Sequence, residues 1–409
     1  MRQLYTIALR LALPLILLRL WWRGRREPGY RDGVPERFGM YTGDKPKRAI
    51  WIHAVSVGEA RAAAPLVRAL KADHAIVMTC TTATGRQTIA QLYGDSVHAV
   101  FLPYDYPETV HAFLQHFRPR LGVIMETELW PNLLAACADR SIAVVLASAR
   151  MSEKSAQGYR RWRALTGPAI RTLAVVCAQS EADAARFRTL GAPRVVVTGN
   201  LKFDAALDTA QLAAGREWKS KLGRPVVLLA STRDGEERAL LHHSDASYLT
   251  VVVPRHPQRF DEVAQLAQSR RTEARMPGAS DRVHLGDTMG EMGFYYAACD
   301  VAIIGGSFEP LGGQNLIEAL AAGVPVIVGP SMFNFAEATE LAVQAGAAMQ
   351  VTDAAAAMRT ASALLADASQ RRRMAEAGKK LCEAHRGAAE RHLAVCSELI
   401  QKGVRTNFG

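Results

Sequence analysis

From residue 49 onward, short continuous apolar runs rich in Val and Ile alternate with longer stretches of helical periodicity. Runs of this kind read as strands buried on both faces, and the longer stretches as the helices that cover them. In the first half, strands are expected at Ala49–Ala54, Ile76–Thr79, Val97–Leu102, Leu121–Met125, Ile142–Leu146, Val175–Ala178 and Val195–Thr198. Around Asp204–Trp218 the pattern gives way to a polar, alanine-rich connector. The alternation then restarts at Val226–Ala230, Leu249–Val253, Val283–Leu285, Val301–Ile304 and Val324–Val328. Strands alternating with helices predict parallel sheets, so the fold class is α/β, with two doubly wound domains facing a cleft. Expected helices include Glu59–Leu70, Asn315–Ala322 with Gly323 at its left-handed end, and a long charged stretch, Ser369–Gln401, that could cross back onto the first half.

The N-terminus breaks this pattern. Leu4–Trp22 is almost wholly apolar, yet Arg10 and Arg19 interrupt it and Pro14 sits inside it. Residues 1–31 hold seven arginines and one glutamate, a net charge of +6. Two arginines make a full span marginal, and Trp-Trp-Arg stands where a signal peptide would be cleaved. An interfacial anchor fits better, with apolar side chains in lipid, the Trp pair at headgroup depth and the arginines on anionic headgroups.

Net charge over the 409 residues is +11, which points to an anionic partner: nucleic acid, membrane surface or acidic substrate. Six cysteines are scattered without a CxxC pair, so neither a zinc site nor a disulfide framework is indicated.

The polar residues that could do chemistry follow the strands, at the carboxyl edge where open α/β sheets bind ligands. In the second half these are the loops Ser231–Glu236, Pro254–Arg259 (with Arg255, His256 and Arg259), Gly286–Glu291 (with Met289 and Gly290), and the glycine-rich Gly305–Asn315 (with Gly306 and Ser307). Glycines admit a ligand close to the backbone, and the helix start beyond them attracts anions, so together these loops describe a nucleotide pocket. Asn315 and Glu318 fit an N-cap and its partner, and the Glu318 carboxylate could also hold sugar hydroxyls. In the first half Glu59 follows Gly58 and opens a helix, whose dipole is expected to lower its pKa. Such a glutamate is either a base awaiting desolvation or an ordinary helix-start residue. His53 is either a second polar group or a core histidine, and Lys202 either meets an anion or is solvated.

Together these blocks resemble the bacterial 3-deoxy-D-manno-octulosonic acid (Kdo) transferases. The resemblance runs over nearly the whole chain: RLWWRGR ending the apolar N-terminus, HAVSVGE at 53–59, ETELWPN at 126–132, GNLKFD at 199–204, PRHPQRF at 254–260, GDTMGE at 286–291 and the glycine-rich block at 305–335. One departure is Ser148, where Asn is expected in most relatives. The resemblance implies a GT-B fold: a membrane-anchoring segment at 1–31, an acceptor domain at 32–205 and a nucleotide-sugar domain at 206–409. It implies CMP-Kdo as donor, a lipid A precursor (lipid IVA) as acceptor, inversion at the transferred sugar, no metal, no cofactor and no nucleic acid. The expected location is the cytoplasmic face of the bacterial inner membrane. Carried onto this sequence, it implies donor contacts at Ser231, Arg255, the Met289 backbone, Gly306, Asn315 and Glu318, with His256, Gly290 and Ser307 on the same loops. Glu59 matches the family's proposed general base, with His53, Ser56, Gly58, Glu128 and Lys202 on the acceptor side. A sugar-nucleotide epimerase would explain the second half but not the N-terminus. A basic membrane adaptor would explain the N-terminus but not the loops.

Overall fold

The computed structural model describes residues 1–43, 46, 48–204 and 207–405. The chain divides into two compact units, Met1–Ala205 with His385–Gly409, and Ala206–Ala384. The domain boundary expected at 205/206 lies outside the described residues, as does the end of the second expected domain at 406–409.

The first unit is built on a seven-stranded parallel sheet: β1 (Ile50–His53), β2 (Ile76–Cys80), β3 (His98–Phe101), β4 (Leu121–Met125), β5 (Ala143–Ala149), β6 (Val175–Ala178) and β7 (Val195–Val197), in the order β3-β2-β1-β4-β5-β6-β7. Ile50 stands opposite both Ile76 and Leu121, and the winding reverses between β1 and β4. Strand alternation sends successive residues into two layers. Ile50 and Ile52 pack with Leu66, Leu70 and Ile400. Trp51 packs with Phe113 and Phe117, and its indole N–H donates to Thr79 Oγ1 at 2.7 Å. Both faces are covered, which is why β1, β2, β4 and β6 are buried along their full length.

The second unit repeats the plan with β8 (Val226–Thr232), β9 (Leu249–Pro254), β10 (Ser269–Arg270), β11 (Val283–Leu285), β12 (Val301–Ile304), β13 (Val326–Val328) and β14 (Ala348–Gln350). Their order is β10-β11-β9-β8-β12-β13-β14, all parallel, with the reversal between β8 and β12. Val227, Leu229, Val301, Ile303 and Ile327 share one core layer with Ala357, Ala361 and Leu364.

Three expectations are corrected. The connector read at 204–218 carries a helix, Thr209–Leu222, capped by Asp208, whose Oδ1 accepts from Ala210 N at 2.8 Å. Only Gly215 and Trp218 on it are buried, and a Cβ at Gly215 would lie 2.2 Å from Phe294 O, so the helix docks by backbone contact and shows no apolar stripe. The helix expected at 59–70 is two, Val57–Ala62 and Ala64–Leu70, because Pro65 has no N–H to carry the ladder across. The stretch expected at 369–401 is likewise two, Ala368–His385 and Ala388–Arg405, parted by Gly387 at φ +84°. The second of these packs on the first sheet through Val395, Cys396 and Ile400.

Helix α1 (Arg2–Arg26) lies on the first unit. Asn132 Nδ2 donates to Thr6 Oγ1 at 3.0 Å, Tyr106 Oη donates to Leu9 O at 2.9 Å, and Arg10 pairs with Glu108 at 3.2 Å. The outer face of the helix is open, with Leu4, Leu11, Leu15 and Leu18 exposed. By length and composition this one helix among the described residues could cross a membrane.

Candidate active site

The carboxyl end of β1 runs through a tight turn into the helix Val57–Ala62, with Ser56 at its N-cap position. Glu59, three residues on, reaches back: its Oε2 accepts from Val55 N at 2.8 Å and its Oε1 from Ser56 Oγ at 3.4 Å. That is the geometry of a helix-start glutamate. A second feature does not belong to such a residue. A Cβ at Gly58 would meet only Ser56 Oγ, at 3.8 Å, so crowding does not require this glycine, and its bare backbone leaves open space above the helix start.

The electrostatics reverse the expectation for Glu59. Burial, then repulsion from Glu126, pushes its carboxyl up to about 8, against the Val55 N–H bond. A six-residue helix has little dipole to set against desolvation, so the expected lowering does not occur. Glu126 follows β4 in left-handed backbone, φ +55°. Its carboxylate meets Lys202 Nζ at 2.8 Å and Arg150 Nη2 at 3.8 Å. Burial opposes its charge, but Lys202 and Arg150 outweigh it and hold the carboxyl below the usual range. Glu128, two residues on, is raised by burial. The cluster thus pairs one ionised carboxylate with one poised near neutrality, the arrangement that separates acid–base roles.

Lys202 is not solvated: its side chain is 15% exposed and binds Glu126. His53 belongs to the core: fully buried, its Nδ1 lies 2.9 Å from Thr79 Oγ1, and burial pushes its pKa down to about 4. Asp105 accepts from Asn132 N at 3.0 Å and Leu133 N at 2.8 Å, at the start of the helix Pro131–Asp139. Ser148 sits at a bulge in β5 with φ +50°, a backbone that Asn tolerates better than Ser. Its N–H donates to His392 Nε2 at 2.9 Å, which ties β5 to the terminal helix.

In the second unit, Ser231 stands at a matching bulge at the end of β8, φ +58°. The glycine-rich loop is held by a residue the sequence reading passed over. Glu236, buried, accepts from Arg233 N at 2.8 Å, Gly306 N at 2.7 Å and Phe308 N at 3.1 Å. Gly305 is required by close approach, since a Cβ there would lie 2.5 Å from Thr232 Cα. Arg255 Nε donates to Gln314 Oε1 at 3.2 Å, which joins the loop after β9 to the loop after β12. Arg259, by contrast, is committed to Glu237 at 2.6 Å and Glu262 at 3.1 Å. His256 is held below its usual value by burial and then by Arg233, Arg255 and Arg259, which marks a cationic patch beside the glycine loop. Ser307 is fully buried, its hydroxyl donating to Ile304 O and accepting from Gly329 N at 2.8 Å, so it fixes the loop from beneath. Asn315 Oδ1 accepts from Ile317 N at 3.0 Å and its amide donates to Glu318 at 3.0 Å. Met289 is exposed, and Gly290 (φ +82°) gives its carbonyl to Gln211 at 2.9 Å. The loops after β8, β9 and β12 are therefore tied together, while that after β11 is fastened to the helix Thr209–Leu222. Among the described residues, no group of three or more His, Cys, Asp or Glu is placed to hold a metal.

Glu126, Arg150, Arg233 and Glu236 were the functional candidates not singled out from sequence. Their signal was position: each stands within a few residues of a strand's carboxyl end.

Comparison with known proteins narrows the chemistry. Residues 32–205 match the family model described as 3-deoxy-D-manno-octulosonic-acid transferase (kdotransferase), and residues 267–381 match glycosyl transferases group 1. The chain is 46% identical to the 3-deoxy-D-manno-octulosonic acid transferase of Bordetella pertussis, over 96% of this chain and 98% of that protein. It is 36% identical to the same-named protein of Haemophilus influenzae, over 98% of this chain and 100% of that one. A crystal structure of a putative UDP-N-acetylglucosamine 2-epimerase from Listeria monocytogenes covers 88% of this chain and 97% of its own with a TM-score of 0.59; at 16% identity it shares the fold alone. Two Rossmann-like domains of the GT-B type and the length and level of the sequence matches lead to one assignment: the chain belongs to the 3-deoxy-D-manno-octulosonic acid transferase family.

Proposed function

We propose that this Kdo transferase moves Kdo from CMP-Kdo to a lipid A precursor with inversion, at the cytoplasmic face of the inner membrane, without a metal. The first domain takes the acceptor and the second the donor. The observation that carries this reading is the state of Glu59: a carboxyl poised at about 8 beside open backbone at the carboxyl edge of the sheet. A base is most useful when its pKa lies near the working pH. In the step proposed, the acceptor hydroxyl oxygen bonds to the anomeric carbon of Kdo while its proton passes to Glu59. The bond from that carbon to the CMP phosphate breaks, and CMP leaves with the electron pair. The anomeric centre is oxocarbenium-like at the midpoint. Arg233 and Arg255, beside the glycine loop that Glu236 holds in shape, stabilise the departing phosphate. Ser231, Met289, Gly290, Asn315 and Glu318 complete the donor site. His256 presents a neutral imidazole there, and Ser307 holds the loop in shape. On the acceptor side Ser56, Gly58 and Glu128 border Glu59, while Lys202 and His53 shape the cluster from within.

The exposed apolar face of α1 and the arginines within and after it support an interfacial anchor. Incubating the protein with CMP-Kdo and lipid IVA, followed by mass spectrometry, tests the assignment. A mass gain of one or more Kdo units with release of CMP is expected. CMP-Kdo left intact in the presence of acceptor would contradict it.

A further inference from the structure

A cavity of about 370 Å3 lies under α1, lined on the helix side by Ile16, Arg19, Leu20 and Arg23. Across from them stands Arg37, only 3% exposed, on the turn Pro35–Phe38. Its Nη2 donates to Thr81 O at 3.1 Å and its guanidinium lies 3.8 Å over the Phe101 ring, yet its Nε has no hydrogen-bond partner. The adjacent Glu36 favours the charge on Arg37 but forms no ion pair with it, being bound to Arg86 at 2.9 Å and to Phe101 N at 2.7 Å. Among the described residues Arg37 makes no ion pair, and neither do Arg19 and Arg23. A buried guanidinium cannot shed its proton to escape desolvation, so it needs an anion. One acid, Glu128, lines the same cavity against the three arginines, and burial raises its carboxyl.

The cavity adjoins the proposed base. Val55 lines it and donates its N–H to Glu59 Oε2 at 2.8 Å; Thr82 lines it and donates to Val55 O at 3.2 Å. The outer side of the same helix exposes Leu11, Leu15 and Leu18. One helix thus offers a lipid-facing apolar surface and, toward the protein, two arginines that complete a cationic cavity next to Glu59. Three guanidiniums around one space suit a tetrahedral dianion better than a single carboxylate.

We propose that this cavity is a phosphate subsite: Arg37, flanked by Arg19 and Arg23, binds a phosphomonoester of the lipid-borne acceptor and so sets its hydroxyl beside Glu59. The proposal rests on the acceptor assignment made above.

The test is calorimetric titration of the full chain in detergent micelles with lipid IVA, and with the same lipid after both phosphates are removed, alongside transfer from CMP-Kdo. Wild type is expected to bind the dephosphorylated lipid at least tenfold more weakly. Arg37→Met, which keeps the apolar stem, is expected to lose at least tenfold for the phosphorylated lipid and little for the other, so that the two losses do not add. Arg19→Ala with Arg23→Ala, on a helix face with room around it, is expected to lose several-fold in the same selective way. That pair decides the matter if Arg37→Met does not fold. An unchanged preference for the phosphorylated lipid in both variants overturns the subsite, as does a loss seen equally on phosphatidylglycerol vesicles without acceptor. In either case a wild type that still transfers Kdo leaves the enzymatic assignment standing. Selective loss of phosphorylated-lipid binding with no transfer by wild type would uphold the subsite and sink that assignment instead.

Discussion

Lys202 Nζ stands 2.8 Å from Glu126 Oε1, and the charge this pair keeps on Glu126 is, after burial, the largest force that raises the carboxyl of Glu59. Glu126 holds its place in a left-handed backbone conformation that costs a non-glycine residue of order 1–3 kcal/mol. Strain of that kind at a strand end, with two cations gathered round the strained residue, points to a carboxylate kept ionised for a purpose.

The first prediction follows from that repulsion. In Glu126→Gln the negative charge is gone while Lys202 remains, so both changes lower the pKa of Glu59. The rising limb of the pH profile for kcat/KM, expected near 8 in wild type, should move to lower pH. A limb that stays in place would mean that Glu126 does not tune the base.

A second prediction concerns Arg255, joined to the glycine loop through Gln314. Arg255→Ala removes charge-assisted bonds worth ~1.5–3 kcal/mol. CMP affinity should fall about tenfold or more. Wild-type affinity in calorimetric titration would exclude Arg255 from the nucleotide site.

Glu236 gives a third. Its carboxylate accepts three backbone N–H bonds, and the amide of Glu236→Gln would turn a donor toward donors. The loss of stability should be about 1–3 kcal/mol, read by chemical denaturation, and CMP binding should weaken with it because Gly306 is no longer fixed. A variant as stable as wild type would show that the loop holds its own shape.

The membrane anchor is tested on the exposed face of α1. Leu11→Ser with Leu15→Ser and Leu18→Ser should abolish flotation with anionic liposomes while leaving the folded core intact, since these side chains are 76%, 69% and 59% exposed. Salt should weaken wild-type binding, because the arginine contribution is screened beyond ~10 Å at 0.1 M. Flotation equal to wild type would place the contact elsewhere.

Much of this was legible before the structure. All seven strands of the first sheet and five of the second were readable as apolar runs, because parallel strands covered on both faces cannot be amphipathic. Strands β10 (Ser269–Arg270) and β14 (Ala348–Gln350) were not, since each carries polar residues in place of a run of Val and Ile. The helix Thr209–Leu222 hid in alanine and lysine because only Gly215 and Trp218 on it are buried. At the candidate site, the motifs named loops at the strand ends but not the partners within them. The raised pKa of Glu59 comes first from burial and then from Glu126, distant in sequence and brought near by β4 lying beside β1. A dipole argument from the local sequence therefore had the wrong sign. Glu236 was invisible for a similar reason: its three donors come from two loops. Ser148 shows the reverse, a sequence oddity whose meaning is a backbone angle.

The most direct test is single-turnover transfer from CMP-Kdo to lipid IVA by Glu59→Gln, with CMP affinity and thermal melting measured on the same protein. Gln keeps the size but cannot take the proton, and loss of a general base costs roughly 10²–10⁴-fold. Because folding raises the Glu59 pKa from 4.5 to about 8, wild-type stability should fall as pH rises through that window and stay reduced above it. Glu59→Gln removes this penalty, so it should melt at least as high as wild type at alkaline pH, with CMP affinity unchanged and the rate down by two orders of magnitude or more. A folded Glu59→Gln protein that transfers Kdo within a few-fold of the wild-type rate would contradict the account, and the base would have to be sought elsewhere.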